Sequence, residues 1–245
     1  AFSDSPGLEG NALRSLFRVY LDMRGLSNIS IKIFLRDDIW KKIVAEGFRE
    51  ASHITRSIVI SWNNQSLLNL IVRRLVHNES ICRYYNVTKE QVLRNASLQR
   101  EFFYRVFPEQ IDVGPKQPDT LDWMLSRTSD GSKKTAPREL IHLLIETRDE
   151  QLKSYELGNA EPPAETLFSR AAITQALPAV SKARYDQTLC AEHPTLKPYL
   201  DKLEFGKTQQ TLQTLAKIWK CPVDQAPAVA EHLADSGFFE RRTAK

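Results

Sequence analysis

Two short apolar runs near the amino terminus constrain the fold of this chain more than any other feature. Residues 29–35 have the sequence Ile-Ser-Ile-Lys-Ile-Phe-Leu, and a second run, Ile58-Val59-Ile60, follows after a segment of helix length. Runs of this size that are rich in Ile and Val are typical of parallel strands buried on both faces of a βαβ unit. The sequence therefore predicts strands at 29–35 and 57–62 and an α/β fold for residues 1–63.

Arg36 is the first candidate site residue, because it follows directly after the first predicted strand. Ligands of open parallel sheets bind at the carboxyl ends of the strands. The planar, permanently charged guanidinium of Arg36 suits the terminal phosphate of a nucleotide. A salt bridge from Arg36 to Asp37 or Asp38 is the alternative, and the sequence leaves both open. The two aspartates suit a divalent cation as well, although a solvated helix start explains them more simply.

Helical patterns cover the rest of the chain. Apolar residues recur at the i, i+3, i+4 spacing of an amphipathic helix in residues 8–21, and residues 64–155 are predicted to be all-α. Pro137 suits the first position of a helix over 138–151, and the alternative puts Pro137 against a base and Arg138 near a phosphate. Further helices are predicted at 38–44, 67–75, 121–125, 166–176, 181–193, 196–203, 208–219 and 226–236.

Composition limits the class of protein. The 245 residues contain no apolar stretch near the roughly 20 residues that span a bilayer, so a soluble chain with no membrane partner is predicted. Cys82, Cys190 and Cys221 are odd in number and far apart, which disfavours a disulfide framework or metal site and fits a reducing cytoplasm. The net charge of +4 leaves nucleic-acid binding open. The start at Ala1, without Met or a signal peptide, predicts a piece of a longer protein.

No catalytic constellation is found in the sequence. The five histidines stand in different predicted elements without Glu or Cys at metal-ligand spacing. Gly206-Lys207-Thr208 ends like a phosphate-binding loop, but Asp201 stands where that motif requires its first glycine, and a predicted helix precedes it. This segment is therefore predicted to be a helix break with a solvated lysine.

Several segments together resemble a little-characterised bacterial P-loop ATPase family of the AAA+ and STAND (signal-transduction, multi-domain) NTPases. The resemblance covers nearly the whole chain and is most specific at Phe-Leu-Arg-Asp-Asp-Ile-Trp (residues 34–40) and Ala-Pro-Arg-Glu-Leu-Ile-His-Leu-Leu (residues 136–144). Residues 48–56 and 62–75 contribute to it. In that family an acid-tipped Walker B strand precedes the equivalent of Ala1.

The resemblance implies a division into three parts. Residues 1–63 would be the end of the parallel-sheet P-loop NTPase domain, 64–157 a helical lid and 166–245 a winged-helix-like module, in which Gly237-Phe238-Phe239-Glu240-Arg241-Arg242 follows the last helix. Arg36 would be the sensor-1 residue. Pro137 and Arg138 would be the adenine-contacting proline and the sensor arginine of the lid, although Thr135 stands where the lid motif usually begins with Gly.

The implied function is a nucleotide-dependent switch in bacterial signalling or antiviral defence, with ATP and Mg²⁺ as cofactors and a homo-oligomer as the assembly. Walker A and Walker B are absent from these residues, so no hydrolysis is assigned to this chain alone. Two other functions stay open. One is a DNA-binding regulator in which the 166–242 region docks a helix in a major groove and Arg241 and Arg242 contact the phosphate backbone of the DNA. The other is an oligomerisation scaffold without a ligand of its own.

Overall fold

The structure is a computed structural model that describes residues 6–131, 133, 135–162 and 165–242, except for the side chains of Pro6, Glu9 and Asp38. Helices form nearly all of its regular structure. Across the described ranges there is no β-strand, and the only bridge joins Ser129 to Thr135. The helices are α1 Pro6–Met23, α2 Asp37–Ala45, α3 Asn64–Val76, α4 Glu79–Tyr85, α5 Lys89–Leu93, α6 Ala96–Val106, α7 Thr120–Thr128, α8 Pro137–Glu156, α9 Arg170–Gln175, α10 Leu177–Arg184, α11 Cys190–Glu192, α12 Lys197–Asp201, α13 Leu212–Trp219 and α14 Ala226–Asp235.

The chain divides into two compact units, one up to Ser61 and one from Trp62 onward. In the first unit, α1, α2 and a 3-10 turn at Arg49–His53 surround a small core of Phe17, Ile43 and Phe48. The ring of Phe17 lies 5.1 Å from that of Trp40. Two ion pairs join α1 to the segment after α2, Arg14 to Glu46 at 2.8 Å and Arg18 to Glu50 at 2.7 Å.

The first predicted strand, residues 29–35, is wrong as a strand. The segment has no ladder partner, yet Ile31, Ile33 and Leu35 are half-buried while their neighbours are exposed, which is the period-two pattern of extended backbone. Ile33 and Leu35 pack on the core of the first unit, and Phe34 is 83% exposed. The residues therefore show the local preference of a strand without forming a sheet.

The second predicted strand, residues 57–62, is also wrong. Ile58, Val59 and Ile60 are 92%, 72% and 71% exposed, and no regular secondary structure is assigned between Ile54 and Asn63. A strand exists only where the backbone of a neighbour completes its hydrogen bonds, and β-propensity does not supply that neighbour. The predicted parallel-sheet P-loop fold is therefore absent from the described residues, and the fold they form is all-helical.

The larger core of the second unit lies among α3 to α10. Phe103, Met124 and Leu143 are among its fully buried side chains. α3 begins with a capping box in which the Asn63 side chain accepts from the Ser66 N–H at 2.8 Å. α8 packs on α9 and α10, and α3 packs on α5 and α6. The all-α prediction for residues 64–155 is confirmed.

A smaller core around Trp219 and Leu233 joins α12, α13 and α14. The indole N–H of Trp219 donates to the Tyr199 carbonyl at 3.1 Å. After α14 the chain reverses at Gly237, which has a φ of 78°, and the Phe238 N–H donates back to the Leu233 carbonyl at 2.9 Å.

The winged-helix-like prediction fails because a wing requires a β-hairpin, and no strand forms in the described part of 166–242. The aromatic pair Phe238-Phe239 instead closes the end of α14. Phe239 packs against the smaller core.

Candidate functional site

Arg36 lies at the start of a helix and not at the end of a strand. It is the N-cap residue of α2, with φ −67° and ψ 140°, and its carbonyl accepts from the Trp40 N–H at 3.0 Å. Arg36 is exposed, and no side chain caps this helix end. Asp37 pairs with Lys41 at 2.6 Å. The prediction that Arg36 ends a strand is therefore corrected, and Arg36 instead precedes a helix whose first two residues are aspartates.

Pro137 and Arg138 occupy the first two positions of α8, as the sequence predicts. Pro137 is half-buried and Arg138 is exposed. The N-cap residue Ala136 is extended, with φ −87° and ψ 143°, and cannot cap the helix with its methyl group. The first N–H groups of a helix have no intrahelical acceptor, so this end offers donors to an anionic ligand.

Glu139 adds a negative charge to the same helical turn. Its Oε2 is shielded from solvent and has no hydrogen-bond partner in the structure. The guanidinium of Arg138, the carboxylate of Glu139 and the helix dipole sum to about half a positive charge. The first turn of α8 therefore attracts an anion only weakly by net charge, and the direction of its amides contributes the rest.

The structure brings Pro137 and Arg138 together in one turn of the second unit, and Arg36 belongs to the first unit. Each arginine stands where a helix begins without a side-chain cap. The sequence predicted the helix that begins just after Arg36, and only the strand predicted before Arg36 is absent.

The loop that leads into the candidate site makes long-range contacts that the sequence did not indicate. The Gly131 N–H in this loop, residues 129–135, donates to the Gly237 carbonyl at 2.7 Å. Lys133 pairs with Glu240 at 3.1 Å, and Arg184 donates to the Ser129 carbonyl at 3.0 Å. The loop that precedes α8 is thereby attached to the carboxyl-terminal segment.

Gly131 is required for this attachment. A Cβ atom at position 131 would lie 2.3 Å from the Phe239 carbonyl oxygen, well inside van der Waals contact. In the sequence, Asp130-Gly131 indicates no more than a polar turn. The contact with Phe239 joins distant parts of the chain, so a local pattern could not predict it.

The basic residues at the carboxyl end are paired with acids. Arg241 contacts Asp235 at 2.9 Å and Glu231 at 3.4 Å, and Arg242 contacts Glu240 at 3.0 Å. The guanidinium of Arg242, followed by the ammonium of Lys133, lowers the pKa of Glu240 below its ordinary value. The carboxylates of these acids offset the positive charge that contacts to the phosphate backbone of DNA would require.

Two further polar contacts involve Tyr185 and His142. The Tyr185 hydroxyl donates to Asp201, which also pairs with Lys197 at 2.9 Å, and this hydrogen bond to a carboxylate raises the pKa of Tyr185. His142 contacts Glu146 at 3.0 Å one turn along α8.

Within the described ranges, no three or more His, Cys, Asp or Glu side chains gather as metal ligands. None of the described helices has the length and apolar character needed to cross a membrane.

A comparison of the chain with protein-family models, with curated proteins and with solved structures found no match.

Proposed function

We propose that the chain is the sensing part of an ATP-dependent molecular switch. Within the first unit, Arg36 is the proposed contact for a terminal phosphate, and within the second unit, Pro137 and Arg138 are the proposed contacts for an adenine and a phosphate. The observation that carries the proposal is an exposed arginine at each of two helix starts where the N-cap residue forms no side-chain hydrogen bond to the helix. A guanidinium and the amide N–H groups of a first helical turn are both strong donors to phosphate oxygens.

The loop before α8 supports a switching role for such a site. A ligand that moves the first turn of α8 acts directly on residues 129–135, because Thr135 lies two residues before Pro137. The same loop holds Gly237 through a 2.7 Å hydrogen bond and Glu240 through an ion pair. Nucleotides that contact the first turn of α8 differently would therefore favour different positions of the carboxyl-terminal segment.

Hydrolysis is not part of the proposal for these residues. The phosphate loop and the Walker B acid are not encoded in the 245 residues, so Mg²⁺ is proposed only as the ion that accompanies the nucleotide. Arg36, Pro137 and Arg138 would bind and report the nucleotide. Bacterial signalling or antiviral defence in the cytoplasm is the setting that belongs to this proposal.

Isothermal titration of the 245-residue chain with Mg-ATP and Mg-ADP tests the proposal. Loss of one hydrogen bond between a guanidinium and a phosphate should weaken binding about ten- to hundredfold. We expect that effect for Arg36→Ala with ATP alone, and for Arg138→Ala with both nucleotides.

The matched control is Arg148→Ala, since Arg148 also projects from α8 into solvent but pairs with Asp149 at 2.7 Å, far from the helix start. Its affinity for both nucleotides should be unchanged. No binding of either nucleotide, or an equal loss in all three variants, contradicts the proposal.

A further inference from the structure

The most unusual surface of the first unit is an uninterrupted apolar run that nothing covers. Ile58, Val59 and Ile60 expose between 71% and 92% of their area. A strand or helix that packs on a core would instead bury the residues of one face. Their flanking residues from Arg56 to Ser61 are exposed as well. Adjacent β-branched side chains in an irregular segment form a ready template for strand pairing.

The sequence of this run is a palindrome. Ser57-Ile58-Val59-Ile60-Ser61 has the same order of residues in both directions, with Val59 at its centre. A twofold interface requires a surface that is complementary to itself, because each residue that contacts another is contacted by it in return. A palindromic strand meets this requirement when two copies run antiparallel.

We propose that this run, the SIVIS segment (residues 57–61), pairs antiparallel with the same segment of a second copy of this chain. Val59 lies on the twofold axis opposite Val59 of the second copy. Ile58 then faces Ile60 of the second copy, and Ser57 faces Ser61. β-Branched and hydroxyl pairs directly opposite each other are favourable cross-strand pairs.

The residues that flank the SIVIS segment also favour a second copy as the partner and an antiparallel direction of pairing. Antiparallel pairing about Val59 places Arg56 opposite Trp62 of the second copy, and an arginine over an indole ring is an attractive pair. Trp62 is 43% exposed and accessible to such a contact. Parallel pairing in register would instead place Arg56 beside Arg56, which is repulsive and leaves an open-ended edge.

Engineered cysteines test the register. Residues directly opposite in an antiparallel pair have Cα atoms about 4.5 to 5.5 Å apart, within disulfide range, whereas diagonal neighbours are about 7 to 8 Å apart. We expect Val59→Cys to form a disulfide-linked dimer under mild oxidation. Ile58→Cys alone and Ile60→Cys alone should not, but their mixture should give a linked heterodimer.

Mass spectrometry of the linked peptides separates these bonds from any that involve Cys82, Cys190 or Cys221, which are free thiols. A linked Val59→Cys peptide together with a linked heterodimer peptide supports the register. Equal linking of Ile58→Cys with itself overturns it.

Sedimentation velocity over a concentration series tests the dimer without cysteines. Val59→Asp places two carboxylates opposite each other and should abolish the dimer, whereas Val59→Thr keeps a β-branched side chain and should retain it. Val113→Asp is the control, since Val113 is 70% exposed and lies outside the segment. Circular dichroism verifies that the variants stay folded.

Three results would overturn the proposal. They are a wild-type chain that stays monomeric at every concentration, association that grows beyond a dimer, and equal effects of Val59→Asp and Val113→Asp.

Discussion

Tyr85 is a buried residue whose ionisation is coupled to the fold. Its single hydroxyl proton is shared between the Glu165 carbonyl at 2.7 Å and the Arg105 carbonyl at 3.2 Å. The Arg105 guanidinium lies 5.1 Å from the ring centre and donates to the Tyr85 carbonyl at 2.9 Å. Burial of the hydroxyl is the main cause that raises the pKa of Tyr85 to about 12. The neutral phenol is therefore the form that the fold stabilises.

This pKa sets the direction of a pH effect. A pKa raised in the folded state gives stability that is fully present below the ordinary tyrosine value and is lost as pH rises through the folded value. We expect the free energy of unfolding to fall between pH 10 and pH 12, by roughly 2 kcal/mol for this one residue. Chemical denaturation at a series of pH values measures it.

Tyr85→Phe is the matched variant for this effect. It removes this shared hydrogen bond, which should lower stability at neutral pH by about 1 to 2 kcal/mol. It should also flatten the alkaline slope without abolishing it, because the pKa values of Tyr104 and Tyr185 are raised as well. A slope identical to that of the wild type would show that Tyr85 does not titrate in this way.

At the scale of elements, the loop before α8 is attached to the segment that follows α14. Gly131→Ala forces a methyl group against the Phe239 carbonyl oxygen and should separate the loop from the carboxyl-terminal segment. We expect a loss of about 1 to 3 kcal/mol of stability, typical of overpacking. Hydrogen exchange should become faster at residues 129–133 and 237–240.

Gly114→Ala is the control for the same chemical change. A Cβ at position 114 would meet only the Gln117 side chain, at an ordinary 3.4 Å. Its exchange pattern should match that of the wild type. If Gly131→Ala also leaves exchange at residues 237–240 unchanged, the loop does not hold the carboxyl-terminal segment.

The sequence predicted the helical regions, but it also predicted a sheet that does not form. Apolar spacing and Pro137 fix the start of α8 because both act within a few residues. At α3 the cap is Asn63, and Ser66 completes the capping box. The strand predictions failed because β-branched residues express a local preference, whereas a ladder needs a neighbour.

The candidate site divides in the same way. Pro137 and Arg138 were found correctly at a helix start, since that placement is local. Arg36 was predicted at a strand end and lies at a helix start. The attachment of Gly131 to Phe239 joins residues far apart in sequence, so no pattern in the sequence indicated it.

At the scale of the whole molecule, the chain consists of two units joined through an exposed segment. Arg56 lies in that segment without regular secondary structure, whereas Arg73 and Arg74 are exposed on the helical backbone of α3. Proteases need an extended backbone, so limited trypsin digestion should cut after Arg56 before it cuts after Arg73 or Arg74. Mass spectrometry should detect an early fragment that begins at Ser57.

Concentration should change this result if the SIVIS segment pairs. Cleavage after Arg56 should then become slower, relative to cleavage at other sites, as the chain concentration rises. Early cleavage in α3 would contradict the assignment of Arg56 to the accessible connection.

The hydrogen bond from Gly131 to Gly237 also orders the events of folding. Most helices of the second unit pack on partners close in sequence, such as α8 on α9 and α13 on α14. Contacts of that kind close small loops and form early. The Gly131–Gly237 contact closes a loop that contains most of the second unit, with a correspondingly larger loss of chain entropy. We therefore expect this contact to be among the last to form as the protein folds.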